Sequence, residues 1–504
     1  MAIEDYYSTL RVAIAQGEAF YSEQPPFHPG TAYPEYLFQD EIGAGANPAY
    51  EAVRNCLRML DLDREHCGEK KWNPLREVIQ PGERVVIKPN FVLSRHYEGG
   101  ELFAIITQPS VLRALVDYAY LALKGEGEVI IADAPQEDCN FAELLERTHL
   151  SAVQEFYWQK RRFEIKVLDL RDWWLDRQPH DAANYMARRK KLQGDPSGSI
   201  TVNLGRHSKF YGLPQRKQFY GADYNREETI SHHEGEVQEY VISRTILNAD
   251  VVISAPKLKV HKKVGVTLNA KGLVGINTNK NCIVHYTLGT PQHGGDQFPP
   301  ALLNAKEEFI TKTKRRLHDL LLAQQSPVTD AMYSALAKSW RKIAKPVIGS
   351  ISEDKTMFDG GNWHGNDSAW RMVSDLMKVI LYADKNGVLR EAPQRKVFAV
   401  IDGIIGGENN GPLLPEAKRA GVVIAGCNPL AVDIVSTRLM GLDWRKLKWI
   451  DDLLCSERFG CFVREVREIK IASNQSDFEN MFEHNERLLG FKPHPGWQEF
   501  LEIE

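Results

Sequence analysis

The residues best suited to chemistry sit at the ends of apolar runs. VVIKPNFV (85–92) closes on Lys88 and Asn90, and EVIIADAP (128–135) on Asp133. VVISAPKLKVH (251–261) closes on Lys257, Lys259 and His261, VFAVIDGIIGGENNGP (397–412) on Asp402, and GVVIAGCNPLAVD (421–433) on Asn428 and Asp433. Strands buried on both faces read as continuous apolar runs, and in an open parallel sheet all carboxyl ends face one edge, where ligands bind. The five polar ends are therefore expected to converge.

Lys257, Lys259 and His261 alternate, so an extended segment places all three on one face in steps of about 7 Å. Lys271 and His285 follow closely. Crowded ammonium groups repel one another unless an anion or a carboxylate cancels them. The cluster points to a phosphate or carboxylate ligand held by Lys88, Asn90, Lys257, Lys259, Lys271 and Asn428. The competing reading pairs Lys257 and Lys259 with Asp250 or Asp402 in a structural network. His261 and His285 titrate near neutrality and suit proton transfer, with Asp402 and Asp433 as base; either histidine reads equally as a metal ligand or a hydrogen-bonded core residue. Gly406 and Gly407 would let backbone amides approach the ligand in a glycine-rich loop. Asp133, Asp402 and Glu408 are hard oxygen donors of the kind that hold Mg²⁺ or Mn²⁺. GGNWHGND (360–367) reads as a substrate loop or a helix entry.

These groups need a scaffold. Asn47 caps NPAYEAVRNCLRML (47–60), whose apolar residues recur at helical spacing. VLRALVDYAYLAL (111–123) and MVSDLMKVILYAD (372–384) are helical as well, and strand, helix, strand in succession implies right-handed parallel units. The fold class is α/β, a mostly parallel sheet flanked by helices with two inserted excursions. The expected divisions are an N-terminal arm (1–46), a first α/β lobe (47–276) with a basic insertion at 159–218, a helical excursion (277–349), a second α/β portion (350–445) and a C-terminal extension (446–504). The insertion carries 14 Lys plus Arg against 6 Asp plus Glu, with Trp173, Trp174 and Tyr185 among them. It reads as a solvated lid in preference to a nucleic-acid surface, because no recognition motif accompanies the charge.

Composition sets the outer limits. With 63 Lys plus Arg against 67 Asp plus Glu, a net charge of −4, nothing global draws the chain to nucleic acid or an anionic membrane. Seven cysteines without a C-x-x-C pair argue against an iron–sulfur cluster and against a disulfide scaffold. No stretch reaches the roughly 18 apolar residues of a membrane span, and MAIEDYYSTL has no apolar leader core, so a cytoplasmic location is expected. LNAKGLVGI (268–276) lacks the P-loop spacing, and no G-x-G-x-x-G follows a strand, so no nicotinamide or flavin motif is present.

Taken together, VVIKPNFV, ADAP (132–135), VVISAPKLKVHKKVGVTLNAKGLVG (251–275), VIDGIIGGENNGP (400–412) and GVVIAGCNPLAVDIVSTRLMG (421–441) resemble the family catalogued as domain of unknown function 362. The most distinctive part is Pro-Lys-x-Lys-x-His followed by Asn-x-Lys-Gly-Leu-x-Gly. Some members of that family carry a ferredoxin module, absent here; the longer form with the GGNWHGND loop resembles members that accompany polysaccharide biosynthesis genes, which implies a sugar or phosphosugar substrate. The leading expectation is an enzyme, of transferase or hydrolase type, acting on a small anionic metabolite. The alternative is a non-catalytic anion-binding or scaffold protein of a biosynthetic complex. The oligomeric state is left open.

Overall fold

A computed structural model describes residues 3–176, 188–214, 218–221, 225–322, 326–339, 342, 352–484 and 488–503. Part of the basic insertion, 177–187 with Tyr185, lies outside the described residues. The sheet is built from β1 (Arg11–Gln16), β2 (Arg84–Pro89), β3 (Glu128–Asp133), β4 (Ile165–Asp169), β5 (Val251–Ala255), β6 (Lys257–His261), β7 (Gly265–Val266), β8 (Lys396–Glu408), β9 (Glu416–Gly426) and β10 (Lys470–Ser473). Its order is β10-β1-β9-β8-β5-β2-β3-β4, and β6 pairs with the outer half of β8 and with β7. Strands β8, β5, β2, β3 and β4 are parallel, whereas β9 runs antiparallel to both β8 and β1. This is the α/β architecture expected.

The principal helices are α1 (Pro48–Met59), α2 (Pro109–Leu123), α3 (Leu268–Gly272), α4 (Ala369–Tyr382) and α5 (Pro429–Leu439). Asn47 caps α1, its side chain accepting from the Tyr50 amide. The chain order explains where a ligand would enter. From β2 the chain proceeds through β3 to β4 on one side, and from β5 to β8 on the other. The carboxyl ends part between β2 and β5, the topological switch point at which α/β sheets open a crevice.

Two features depart from the sequence reading. Residues 11–16 do not lie on the body as an arm: Val12, Ala13, Ile14 and Ala15 are buried, and β1 is inserted between β9 and β10. Six residues are too few for periodicity to register as an element. The stretch after Asp402 is not a glycine-rich loop, because β8 continues through Gly406 and Gly407 to Glu408, paired with β9 on one side and β6 on the other. No helix among the described residues is long and apolar enough to cross a membrane.

The place of β1 within the sheet is testable. Ile14 is fully buried, so Ile14→Ala is expected to cost about 2–5 kcal/mol of stability, read as a lower urea midpoint. An arm merely resting on the surface would lose under about 0.5 kcal/mol.

Candidate functional site

At the switch point a pocket of about 130 Å³ opens between the ends of β2 and β3, the end of β6 and the segment 267–285. Asn90, Asp133, Lys259, His261, Lys271 and His285, all singled out from the sequence, line it. Lys262, Lys263, Thr267 and Lys280 line it too. The lining thus holds five lysines and two histidines against the single carboxylate of Asp133.

That carboxylate is already engaged. Lys88, buried beneath the pocket, donates to Asp133 Oδ1 at 2.9 Å and to the Pro89 carbonyl at 2.7 Å, and the Phe91 amide donates to Asp133 Oδ2 at 2.6 Å. Gly275 closes over this pair. A Cβ there would lie 1.9 Å from Asp133 Oδ1 and 2.6 Å from Lys88 Nζ, so only glycine fits.

The remaining lysines differ in how their charge is met. Lys259 donates to the carbonyls of Ile105 (2.7 Å) and Pro412 (3.1 Å). Lys280 donates to Ala134, Val274 and Asn277 carbonyls at 2.6, 3.0 and 3.1 Å. Lys263 reaches the Gly360 carbonyl and Asn362 Oδ1. Lys271, only 7 % exposed, has neither a hydrogen bond nor an ion pair among the described residues. Burial and the neighbouring charges of Lys280, Lys263 and Lys88 lower its pKa to about 7; burial lowers Lys280 to about 8 and holds Lys259 well below the ordinary lysine range.

Both histidines are held well below the ordinary imidazole range for the same reason, burial first and the charge of Lys271 next. His261 Nδ1 accepts the Lys263 amide at 3.0 Å, so in the neutral ring the proton resides on Nε2. His285 Nδ1 is buried without a hydrogen-bond partner, as are Asn90 Oδ1 and Thr267 Oγ1 on the pocket wall. GGNWHGND serves as an elaborate helix entry: Asn366 Oδ1 accepts the Ser368 and Ala369 amides, and its Nδ2 donates to the His285 carbonyl. Through Gly360 and Asn362 the same loop holds Lys263, so it braces the pocket from behind.

Other residues singled out from the sequence are not brought to the pocket. Lys257 does not line the pocket with Lys259, and the register of β6 on β8 jumps from Asp402 at Lys257 to Gly407 at Lys259, two residues on one strand against five on the other. Lys257 instead pairs with Asp402 at 2.9 Å and donates to Tyr21 Oη at 2.6 Å, while Tyr21 donates to Asp402 Oδ1 and the Gln108 amide to Oδ2. This is the structural network, fully buried. Gly406 and Gly407 lie inside β8 under Phe491 and against Lys259 Cβ and the Ala104 carbonyl, where close packing leaves no room for a side chain. Glu408 accepts the Lys492 amide and lies 3.6 Å from Lys418. Asp133, Asp402 and Glu408 are thus engaged with Lys88, Lys257 and Lys418 respectively and do not assemble as a ligand set; Asp402 and Glu408 alone are six strand residues, about 20 Å, apart.

Asn428 follows an antiparallel strand and so sits at the opposite edge, where it caps α5 and donates to the Tyr7 and Cys461 carbonyls. Asp433, on α5, accepts the amides of Asn269 and Ala270 at 2.9 Å each and Asn269 Nδ2 at 2.7 Å, fixing the start of α3, the helix that carries Lys271. Burial pushes its carboxyl up to about 7 against the pull of those donors. In the basic insertion, Arg189, Lys190 and Lys191 pair with Glu137, Asp176 and Asp172, and stack over Trp173 and Trp174.

The network assignment predicts the behaviour of Lys257. Lys257→Met leaves Asp402 buried without its cation and is expected to cost about 3–5 kcal/mol in chemical denaturation. Adding Asp402→Leu removes the orphaned charge and is expected to recover part of that loss; no recovery would place the pair outside the fold's stability.

Comparison with known proteins adds one finding. No curated protein and no solved structure matches the chain. Residues 195–438, which take in β5 to β9 and nearly all of α5 together with the lysine-bearing segment between them, match the model of the family described as Domain of unknown function (DUF362).

Proposed function

We propose that the pocket binds a small phosphorylated or carboxylated metabolite and that the protein is an enzyme acting on it. One observation carries this reading: five lysines and two histidines line a single pocket whose lone carboxylate is already neutralised by Lys88. A buried concentration of positive charge is costly until an anion enters. The ligand's charge would be met by Lys271, Lys259 and Lys280, with Asn90 and Thr267 supplying the polar atoms that lack partners.

Proton transfer falls to the histidines. His261 offers a proton at Nε2 and His285 an unpartnered Nδ1, a donor and an acceptor in one pocket. Asp402 and Asp433, engaged elsewhere, take no part. Phosphosugars are the first substrates to try, a choice that rests on the sequence resemblance alone. A second reading, a non-catalytic binder, is favoured by one feature: no carboxylate pairs with either histidine among the described residues.

Sulfate, whose charge is constant across neutrality, tests the binding. The cationic lysines attract it, so affinity is expected to fall as pH rises through about 7 and about 8, where Lys271 and Lys280 lose their protons. Lys271→Met should weaken binding by about tenfold or more in calorimetry. If neither sulfate nor phosphate binds, the anion reading is wrong. His261→Gln then separates the two readings. An enzyme should lose about 10²–10⁴-fold in turnover across a panel of phosphorylated and carboxylated metabolites while keeping sulfate affinity; binding without turnover of any panel member leaves the non-catalytic binder.

A further inference from the structure

The lysines of the pocket are not equivalent, and the difference suggests covalent chemistry. Lys259, Lys263 and Lys280 each deliver their Nζ hydrogens to carbonyl or amide oxygens, so their donors are met within the fold. Lys271 lines the same pocket, is 7 % exposed and has no hydrogen-bond acceptor among the described residues. A primary amine that faces the pocket among cationic neighbours, with no protein acceptor among the described residues, loses its proton more readily and presents a free lone pair. It is also rigidly presented, since Asp433 anchors Asn269 and Ala270, and the Thr267 amide donates to the Lys259 carbonyl.

We infer that Lys271 is a nucleophile that forms an imine with the carbonyl carbon of a small anionic aldehyde or ketone, whose acidic group is held by the lysines around it. The inference rests on the anion-binding reading above and narrows its substrate class. The Nζ lone pair forms the C–N bond as the C=O π bond breaks. The two amine hydrogens then leave with the carbonyl oxygen as water, so the C=N bond appears with no oxidant or reductant. His285 Nδ1, buried without a partner on the pocket wall, is the base that moves protons from nitrogen to oxygen. The lowering of the Lys271 amine to about 7 agrees with a fraction of free amine far above that of a surface lysine.

The experiment incubates the intact protein with glyoxylate, an aldehyde bearing a carboxylate, and sodium cyanoborohydride, which reduces an imine to a stable secondary amine. Peptide mass spectrometry is expected to find carboxymethyl-lysine at Lys271 at least about tenfold above any other lysine. Its formation should rise with pH through about 7 and then level off, whereas surface lysines should keep gaining towards their ordinary 10.5. Excess sulfate should suppress it. Lys271→Arg, which keeps a cation in place, should abolish the adduct while sulfate still binds. If sulfate and glyoxylate compete for the pocket but labelling is spread over surface lysines, the imine is refuted and the anion site stands. If neither anion binds, both fall together.

Discussion

The structure is organised around a shortage of negative charge. At the carboxyl edge of the sheet, Lys88, Lys257, Lys259, Lys271 and Lys280 are all buried, and among the described residues only Asp133 and Asp402 pair with any of them. Each of those two carboxylates neutralises one lysine. The other three must be satisfied by dipoles or left wanting, and backbone carbonyls do part of this work by pointing inward around Lys259 and Lys280. Several local conformations serve that end: the turn at 134–136, the cover at Gly275 and the segment at Pro412. The imbalance that remains is concentrated on Lys271, which separates a binding pocket from a merely well-paired interior.

The second excursion and the loop before α4 have a supporting role. Asn366 joins the entry of α4 to the backbone of His285, and Gly360 and Asn362 hold Lys263. Asp433 does the same from α5, reaching across to the first amides of α3. The loop before α4 and the helix α5 thus hold a pocket whose lining comes almost wholly from earlier in the chain. A mutation in α5 can disturb Lys271 without touching any ligand.

Much of this was legible in the sequence, and the misses have physical causes. The Asn47 cap, the helical spacing after it and the apolar runs ending at Asn90, Asp133 and Lys259 rest on local chemistry, and each was found where the pattern placed it. Asn428 was misplaced because an apolar run does not reveal strand direction, and β9 is the strand that reverses. Lys257 was misplaced because alternation along β6 does not reveal what lies opposite, and Asp402 of β8 sits beside it in register. Gly406 and Gly407 resembled a loop because glycine marks turns as well as close packing, and only the neighbours Phe491 and Lys259 decide between them. Lys280 went unnoticed in NTNKNC, a polar stretch with no period to draw attention to it.

The insertion of β1 between β9 and β10 also shapes how the protein is made. Val12 pairs with Gly426 and with Ile471, so the first strand to leave the ribosome waits for partners synthesised more than four hundred residues later. At cellular synthesis rates that is roughly 20–80 s during which RVAIAQ has no sheet to join. The parallel strands around the pocket can associate meanwhile, but the sheet cannot be closed on this side until translation is almost finished. The nascent chain therefore depends on something else, a chaperone or its own transient collapse, to keep that apolar segment from pairing elsewhere.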